Sequence, residues 1–330
     1  MLARDGLDDP QQDECLAVCD SLSNATQTAM PLTSYLYPFL AIVLWAGNVI
    51  VSKMAASAIS PTAITFYRLV LVLLLMSPFM LRTLWRNRVQ IRRHWWQLAL
   101  SGLLAMALFQ SLSYRAAEST TATNMAIVTA LIPLLTALLS VIVLGEAITI
   151  GMAVGGLLSF TGLLYLVGHG DLGAAMREGV HLGDALMLLA AFSYALYGVL
   201  LRRWKMNVPV WQAVYVQAVA ALVLMLPQFL LLPSGTAALD ARTLPLIAYS
   251  GIGSSILLSF LWIEGVKKLG PNRCSIFINL LPVLTALFAI LWLNENMRAY
   301  HLIGGGVSLA GVLLTQVVQR PLFGARIGYR

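Results

Sequence analysis

The sequence predicts an all-α polytopic membrane protein: ten transmembrane helices arranged as two five-helix repeats of inverted topology. Three observations carry that prediction. First, the chain of 330 residues is 59% hydrophobic and only 11% charged, with a mean hydropathy of +0.81. A soluble globule cannot hide that much apolar surface, whereas a bilayer solvates it. Second, ten apolar runs are long enough to cross a hydrocarbon layer. Third, the chain writes one stretch twice. Leu131–Glu146, LIPLLTALLSVIVLGE, returns as Leu280–Glu295, LLPVLTALFAILWLNE, with six identities in the first eight pairs. A constant offset of 149 residues relates Pro133 to Pro282 and Glu146 to Glu295. It also relates Ala46 to Ala195, Gly102 to Gly251, Ser159 to Ser308 and Gly162 to Gly311. Prolines and glycines held in register over that span mark an internal duplication. Residues related by this offset are called mates below.

Backbone groups in lipid must bond within their own segment, so each run is read as a helix. The first 30 residues hold six acids and one arginine, Arg4, with no apolar core. Residues 1–33 are therefore expected to form a soluble tail and not a signal peptide. The first repeat, 34–168, places helices at 34–55, 60–82, 94–115, 120–144 and 149–168. A loop at 169–181, the longest connection, joins it to the second repeat, 182–318. Helices there fall at 182–202, 208–232, 243–266, 272–293 and 299–318, before a C-terminal tail at 319–330. Pro61, Gly145, Pro209, Pro233 and Pro271 punctuate the short connections.

Lys and Arg fix the orientation. With the N-terminus in the cytoplasm, the inner side collects Arg82, Arg86, Arg88, Arg92 and Arg93, then Arg202, Arg203 and Lys205. It also collects Lys267, Lys268 and Arg273, and the tail residues Arg4, Arg320, Arg326 and Arg330. Fifteen basic residues lie inside, against Lys53, Arg115, Arg177, Arg242 and Arg298 outside. Both termini are expected in the cytoplasm. Five helices per repeat is an odd number, so the second repeat enters from the opposite side. That gives a pseudo-two-fold axis in the membrane plane and a site near the midplane.

Other function classes find little support. The net charge of +7 is spread between apolar segments and forms no basic stripe, so nucleic acid is not an expected partner. Cys15, Cys19 and Cys274 make neither a disulfide framework nor a metal set. No HExxH, GxSxG or GxxxxGK[ST] occurs, and His94, His169, His181 and His301 are scattered over helix ends and loops. No catalytic residue, metal or cofactor is expected. A membrane-embedded enzyme or a channel remains the alternative class; the lack of a filter-like loop and the inverted repeat weigh against the channel.

Several paired residues resemble the drug/metabolite transporter superfamily, specifically its ten-helix proteins with two EamA domains. They are Trp45-Ala46-Gly47-Asn48 with Lys53, Pro61 and Arg68, Tyr114, Pro133 with Glu146, and Pro282 with Glu295. The resemblance covers about residues 35–318. It implies a basket-like fold with a central cavity and a secondary transporter of the inner membrane, often an exporter of amino acids or related metabolites.

Arg68 is the most telling single residue. It lies within helix two, where a guanidinium is expensive and faces a wet cavity or a partner. Two readings stand: an anchor for a substrate carboxylate, or a structural arginine bonded to helix-end carbonyls or snorkelling outward. No acid of the first repeat lies at its depth, so no fixed partner is evident in the sequence. Its mate is the uncharged Gln217. Trp45, Asn48, Tyr67, Tyr114, Asn124, Tyr194, Tyr197, Gln217, Trp262 and Asn279 complete the candidate substrate-binding set. In a cavity they stack on a substrate and hydrogen-bond it, although interface belts and helix–helix bonding are competing uses. Trp95 and Trp96, beside Arg92 and Arg93, read as belt residues. Pro133 and Pro282, inside apolar helices, are candidate hinges, and the mates Arg115 and Glu264 are candidate gate charges. The cavity is expected between helices one to four and six to nine, with helices five and ten outside it. The small-xxx-small spacings Gly151/Gly155/Ser159 and Gly304/Ser308 suit packing within the chain first and a dimer face second. The partners expected are a small-molecule substrate and the lipid bilayer, in a monomer or homodimer.

Overall fold

The structure, a computed structural model, describes residues 33–171, 181–269, 274 and 277–322. Expectations placed on Arg4, Cys15, Cys19, Arg177, Pro271, Arg273, Arg326 and Arg330 fall outside these residues. The chain forms α1 (Thr33–Ala55), α2 (Pro61–Arg86), α3 (Trp95–Ala116), α4 (Ala122–Leu144) and α5 (Ile150–Val167). The second set is α6 (Leu182–Trp204), α7 (Val210–Leu230), α8 (Thr243–Leu269), α9 (Ile278–Leu293) and α10 (Ala299–Val317). Among the described residues nine of these are long and apolar enough to span a membrane, and α9 is shorter over its described part. The architecture is thus the ten-helix duplicated bundle that the sequence predicts.

Local chemistry sets the ends. Pro61 opens α2 at its first turn, where a missing N–H costs nothing. The Thr121 and Thr149 hydroxyls accept the backbone N–H of Asn124 and Met152, each at 3.1 Å, and so cap α4 and α5. Gly145 and its mate Asn294 close α4 and α9 in the left-handed region, at φ 72° and 53°. The duplication has kept the backbone turn and changed the residue that makes it.

Pro133 and Pro282 differ from expectation in one respect. Neither kinks a continuous helix. Each opens a new half-helix, Ile132–Leu144 and Leu281–Leu293, after a break at Ala130–Leu131 and at the turn Ile278–Leu280. Proline in the first turn of a half-helix leaves no lost bond there, so the break lies just before it.

Burial is arranged for lipid. No more than 44% of any span's most apolar window is buried, and the outward faces carry Phe79, Ile142, Leu157, Leu231 and Val317. The interior holds much of the polarity instead: Asn48, Arg68, Asn124, Asp184, Gln217 and many hydroxyls are buried. Trp85, Trp95 and Trp96 are exposed at helix ends among the arginines, with Arg88 stacked over Trp85 at 4.8 Å, as belt residues are.

The two repeats interdigitate. α1 packs on α8 and α9 of the other repeat, and α6 packs in the related way on α3 and α4. The self-related pairs α2·α7 and α5·α10 close the two sides. The α5·α10 contact explains its glycines. A side chain at Gly155 would collide with the Gly311 carbonyl oxygen, and one at Gly311 with the Gly155 carbonyl oxygen. The small-residue stripe is therefore used inside one chain to bring two backbones together.

Candidate substrate cavity

A cavity of about 170 Å³ lies among α1, α2, α3, α6, α7 and α8. Its wall contains seven mate pairs: Trp45/Tyr194, Asn48/Tyr197, Leu69/Ala218, Ala105/Ser254, Met106/Ser255, Phe109/Leu258 and Gln110/Ser259. A cavity lined equally by both members of each pair sits on the pseudo-two-fold axis. For an inverted repeat that axis runs in the membrane plane, the place where a mid-depth site is expected.

Two helices reach it through an unusual turn. α3 is π-helical over Leu103–Leu108 and α8 over Tyr249–Leu257, at mate positions. Such turns are concentrated at functional sites because they rotate side chains off the α-helical schedule. In α8 the consequence is concrete. Ser254 and Ser255 both direct hydroxyls to the Ser250 carbonyl, at 2.9 and 2.7 Å. Their lone pairs are thereby turned to one place.

Arg68 occupies that place. It is 4% exposed. Its Nε and Nη2 donate to Ser255 Oγ at 3.2 and 2.6 Å, and Nη2 also to Ser254 Oγ at 3.2 Å. Nη1 donates to Gln110 Oε1 at 2.6 Å and Tyr114 OH at 3.3 Å. Tyr114 is held by donating to Ser250 Oγ at 2.9 Å, and Asn48 Oδ1 lies 2.7 Å from Ser254 Oγ. The expectation that Arg68 lacks a fixed partner is corrected here: it has four, all neutral. The partners are two serines, an amide and a phenol from α3 and α8, none of which is an acid. These bonds hold the fork without cancelling its charge. Burial of a guanidinium in a membrane costs about 2.5–3.5 kcal/mol on the insertion scale, and neutral acceptors offset only part of that.

The aromatic side of the cavity is continuous. Trp45 and Tyr194 rings lie 6.2 Å apart, Phe109 and Tyr194 4.9 Å, and Tyr194 and Tyr197 5.5 Å. Gln217, the mate of Arg68, is 2% exposed and within hydrogen-bonding reach of Tyr197. The cavity is symmetric in shape and asymmetric in charge.

Of the sequence candidates, Trp45, Asn48, Arg68, Tyr194 and Tyr197 line the cavity, with Tyr114 and Gln217 directly behind. The others lie elsewhere. Tyr67 donates to the Ala237 carbonyl at 2.9 Å and packs edge-on against Phe229. Trp262 packs against the Ile42, Ala46 and Leu281 cluster. Asn279 belongs to the turn that opens α9. Asn124 is buried where α4 meets α6, its amide 3.4 Å from Asp184 Oδ1. Among the described residues, those lining this cavity come from α1, α2, α3, α6, α7 and α8, and none from α4 or α9. Every residue of Ala122–Thr129, the first half of α4, is buried.

Arg115 and Glu264 each pair with a neighbour three residues on, Glu118 at 3.4 Å and Lys267 at 2.6 Å. Neither is among the residues lining the cavity. A different mate set does span helices at both ends of the bundle. At one end the Lys53 ammonium donates to the Ala117 and Thr120 carbonyls, at 2.8 and 2.6 Å, within the field of Glu295. Glu295 accepts the N–H of Ala122 at 2.8 Å and the Thr123 hydroxyl at 3.1 Å, so it caps α4 where the helix dipole favours an anion. At the other end Arg202, the mate of Lys53, is ion-paired with Glu146, the mate of Glu295. Asp184 is a buried acid that the sequence does not mark. It is 3% exposed and accepts from Thr120 Oγ1, and its place two residues into a helix gives it the look of an ordinary head-group acid.

Comparison with known proteins agrees with this architecture. The sequence profile of the EamA-like transporter family matches twice, at residues 32–168 and 181–317. An uncharacterized transporter of Archaeoglobus fulgidus is 30% identical over 286 residues, spanning 85% of this chain and 96% of that protein. The uncharacterized transporter YyaM of Bacillus subtilis is 26% identical over 271 residues, spanning 82% and 88%. The WAT1-related protein At3g02690, chloroplastic, of Arabidopsis thaliana is 24% identical over 306 residues, spanning 89% and 71%. One crystal structure superposes with a TM-score of 0.58 over 86% of this chain and 96% of that one, at 19% identity, a likeness of fold.

Proposed function

Given that this chain belongs to the EamA-like transporter family, we propose that it is a secondary transporter exporting small carboxylate-bearing metabolites, the class to which amino acids belong. Movement is by alternating access around the Arg68 cavity, across the cell's inner membrane, with both termini cytoplasmic. The observation that carries the substrate class is the buried guanidinium. Five hydrogen bonds to neutral oxygens aim it at the cavity and leave its charge uncancelled. All five N–H groups are engaged by these neutral oxygens, so a carboxylate supplies the missing charge and gains the planar, bidentate geometry that Arg favours by displacing serine hydroxyls from the fork. The cavity volume of about 170 Å³ is below the ~300–1,000 Å³ of sites for drug-sized ligands, which supports a small metabolite. Lys53–Glu295 and Arg202–Glu146 serve as the two end closures, and the half-helix breaks before Pro133 and Pro282 as hinges. The fifteen-to-five basic asymmetry supports the orientation.

The reading is tested by efflux from liposomes carrying the purified protein and loaded with labelled metabolites, with and without a pH gradient. Saturable efflux of at least one carboxylate-bearing compound is expected. Efflux no faster than from protein-free liposomes for every such compound contradicts it.

A further inference from the structure

The charge balance of the cavity narrows the substrate class. Among the described lining residues Arg68 alone is charged, so the wall contributes one positive charge and no negative one. Its acceptors nearest the charge already serve it: Gln110 Oε1 and the Ser254 and Ser255 hydroxyls accept from the guanidinium, Asn48 Oδ1 lies 2.7 Å from Ser254 Oγ, and Ser259 adds one further hydroxyl to the wall. The rest of the wall is largely aromatic and aliphatic.

From this balance, and resting on the carboxylate-transport reading above, we infer that the site selects monocarboxylates that lack an ammonium group and carry a compact apolar or aromatic body. Such an anion neutralises Arg68 and buries its body against the aromatic wall. A zwitterionic amino acid neutralises Arg68 equally well but brings its own cation within a few ångströms of the guanidinium. That ammonium meets no carboxylate among the described lining residues, finds Gln110 Oε1 and the Ser254 and Ser255 hydroxyls already engaged by Arg68, and feels a like charge in a low-dielectric setting. Only neutral groups are left to receive it among the described lining residues: the Ser259 and tyrosine hydroxyls and the aromatic faces of Trp45, Tyr194 and Tyr197.

The test uses the purified full-length protein and ligand pairs that differ only in the ammonium group. These are 3-phenylpropionate against phenylalanine, and 4-methylpentanoate against leucine, titrated calorimetrically at pH 7 with phenethylamine as the cation-only control. The desamino acid of each pair is expected to bind at least about tenfold tighter, the discrimination an unpaired buried polar group carries, with phenethylamine weakest. Amino acids that bind as tightly as their desamino partners, or tighter, overturn the inference and leave carboxylate recognition standing. If none of the four carboxylates binds, or phenethylamine binds tightest, the inference and the carboxylate reading fall together. The comparison is made on the unmutated chain, so its outcome does not depend on a variant folding.

Discussion

Ser159 Oγ lies 3.2 Å from Ser308 Oγ, and the two serines are mates, 149 residues apart. A residue can touch its own mate only where the pseudo-two-fold axis passes. The same is true of Trp45 and Tyr194 at the cavity. The axis therefore runs from the α5·α10 seam through the aromatic wall of the central site. An inverted repeat can exchange the conformations of its two halves about this line, which is how one site faces each side in turn.

The seam should be intolerant of bulk. Gly155→Leu places a side chain against the Gly311 carbonyl and the Thr315 side chain, an overpacking that costs roughly 1–3 kcal/mol or more. A lower melting temperature and loss of monodisperse protein on size-exclusion chromatography are expected. Ser159→Ala, which removes one exchangeable hydroxyl contact worth about 0.6 kcal/mol in a membrane protein, should leave both close to wild type. Equal behaviour of the two variants would deny the close backbone approach.

The end pairs should bias access in opposite senses. Glu295→Gln removes the charge beside Lys53 and weakens the cap on α4, whereas Glu146→Gln frees Arg202. With a cysteine introduced at Ser259 in the cavity wall, Glu295→Gln should raise labelling from the Lys53 end. Glu146→Gln should raise it from the Arg202 end. A several-fold change is expected, since about 1.4 kcal/mol of lost closure is a tenfold shift in population. If both variants open the same end, the pairs are not alternating closures.

Orientation is tested with single cysteines in a background where Cys15, Cys19 and Cys274 are replaced. An impermeant maleimide on intact cells should label Ala175→Cys and spare Ala325→Cys. Labelling of the latter contradicts cytoplasmic termini.

Much of the fold is legible in the sequence, because lipid forces helices and the duplication repeats its prolines and glycines in register. The half-helix breaks are less so: proline marks them but does not say whether the helix bends or restarts. The site is legible in part. Arg68, Trp45, Asn48, Tyr194 and Tyr197 stand out as polar or aromatic residues deep in apolar runs, and the cavity collects all five. Asn124 stands out equally, yet the packing of α6 on α4 gives its amide to Asp184. The π-turns leave no mark, since Leu103–Leu108 is an unbroken apolar run. Without the turn in α8, Ser254 and Ser255 read as two more small residues and Arg68 seems to lack partners. Lys53 and Arg202 belong with Glu295 and Glu146 only once it is known which helices touch.

The most direct measurement of the central claim is the flux of an identified carboxylate-bearing substrate through Arg68→Gln protein, which carries at this position the residue of its mate, Gln217. Thermal denaturation and size-exclusion chromatography establish that the variant is folded, and proteoliposome efflux is then compared with wild type at equal protein. Loss of the guanidinium's charge-assisted pairing, worth about 1.5–3 kcal/mol, predicts a fall of at least tenfold in transport at sub-saturating substrate. Arg68→Lys should fall as well, because it keeps the charge but loses the bidentate fork. Folded Arg68→Gln protein that moves the substrate at the wild-type rate would show that Arg68 holds α2 to α3 and α8 and does not hold the cargo.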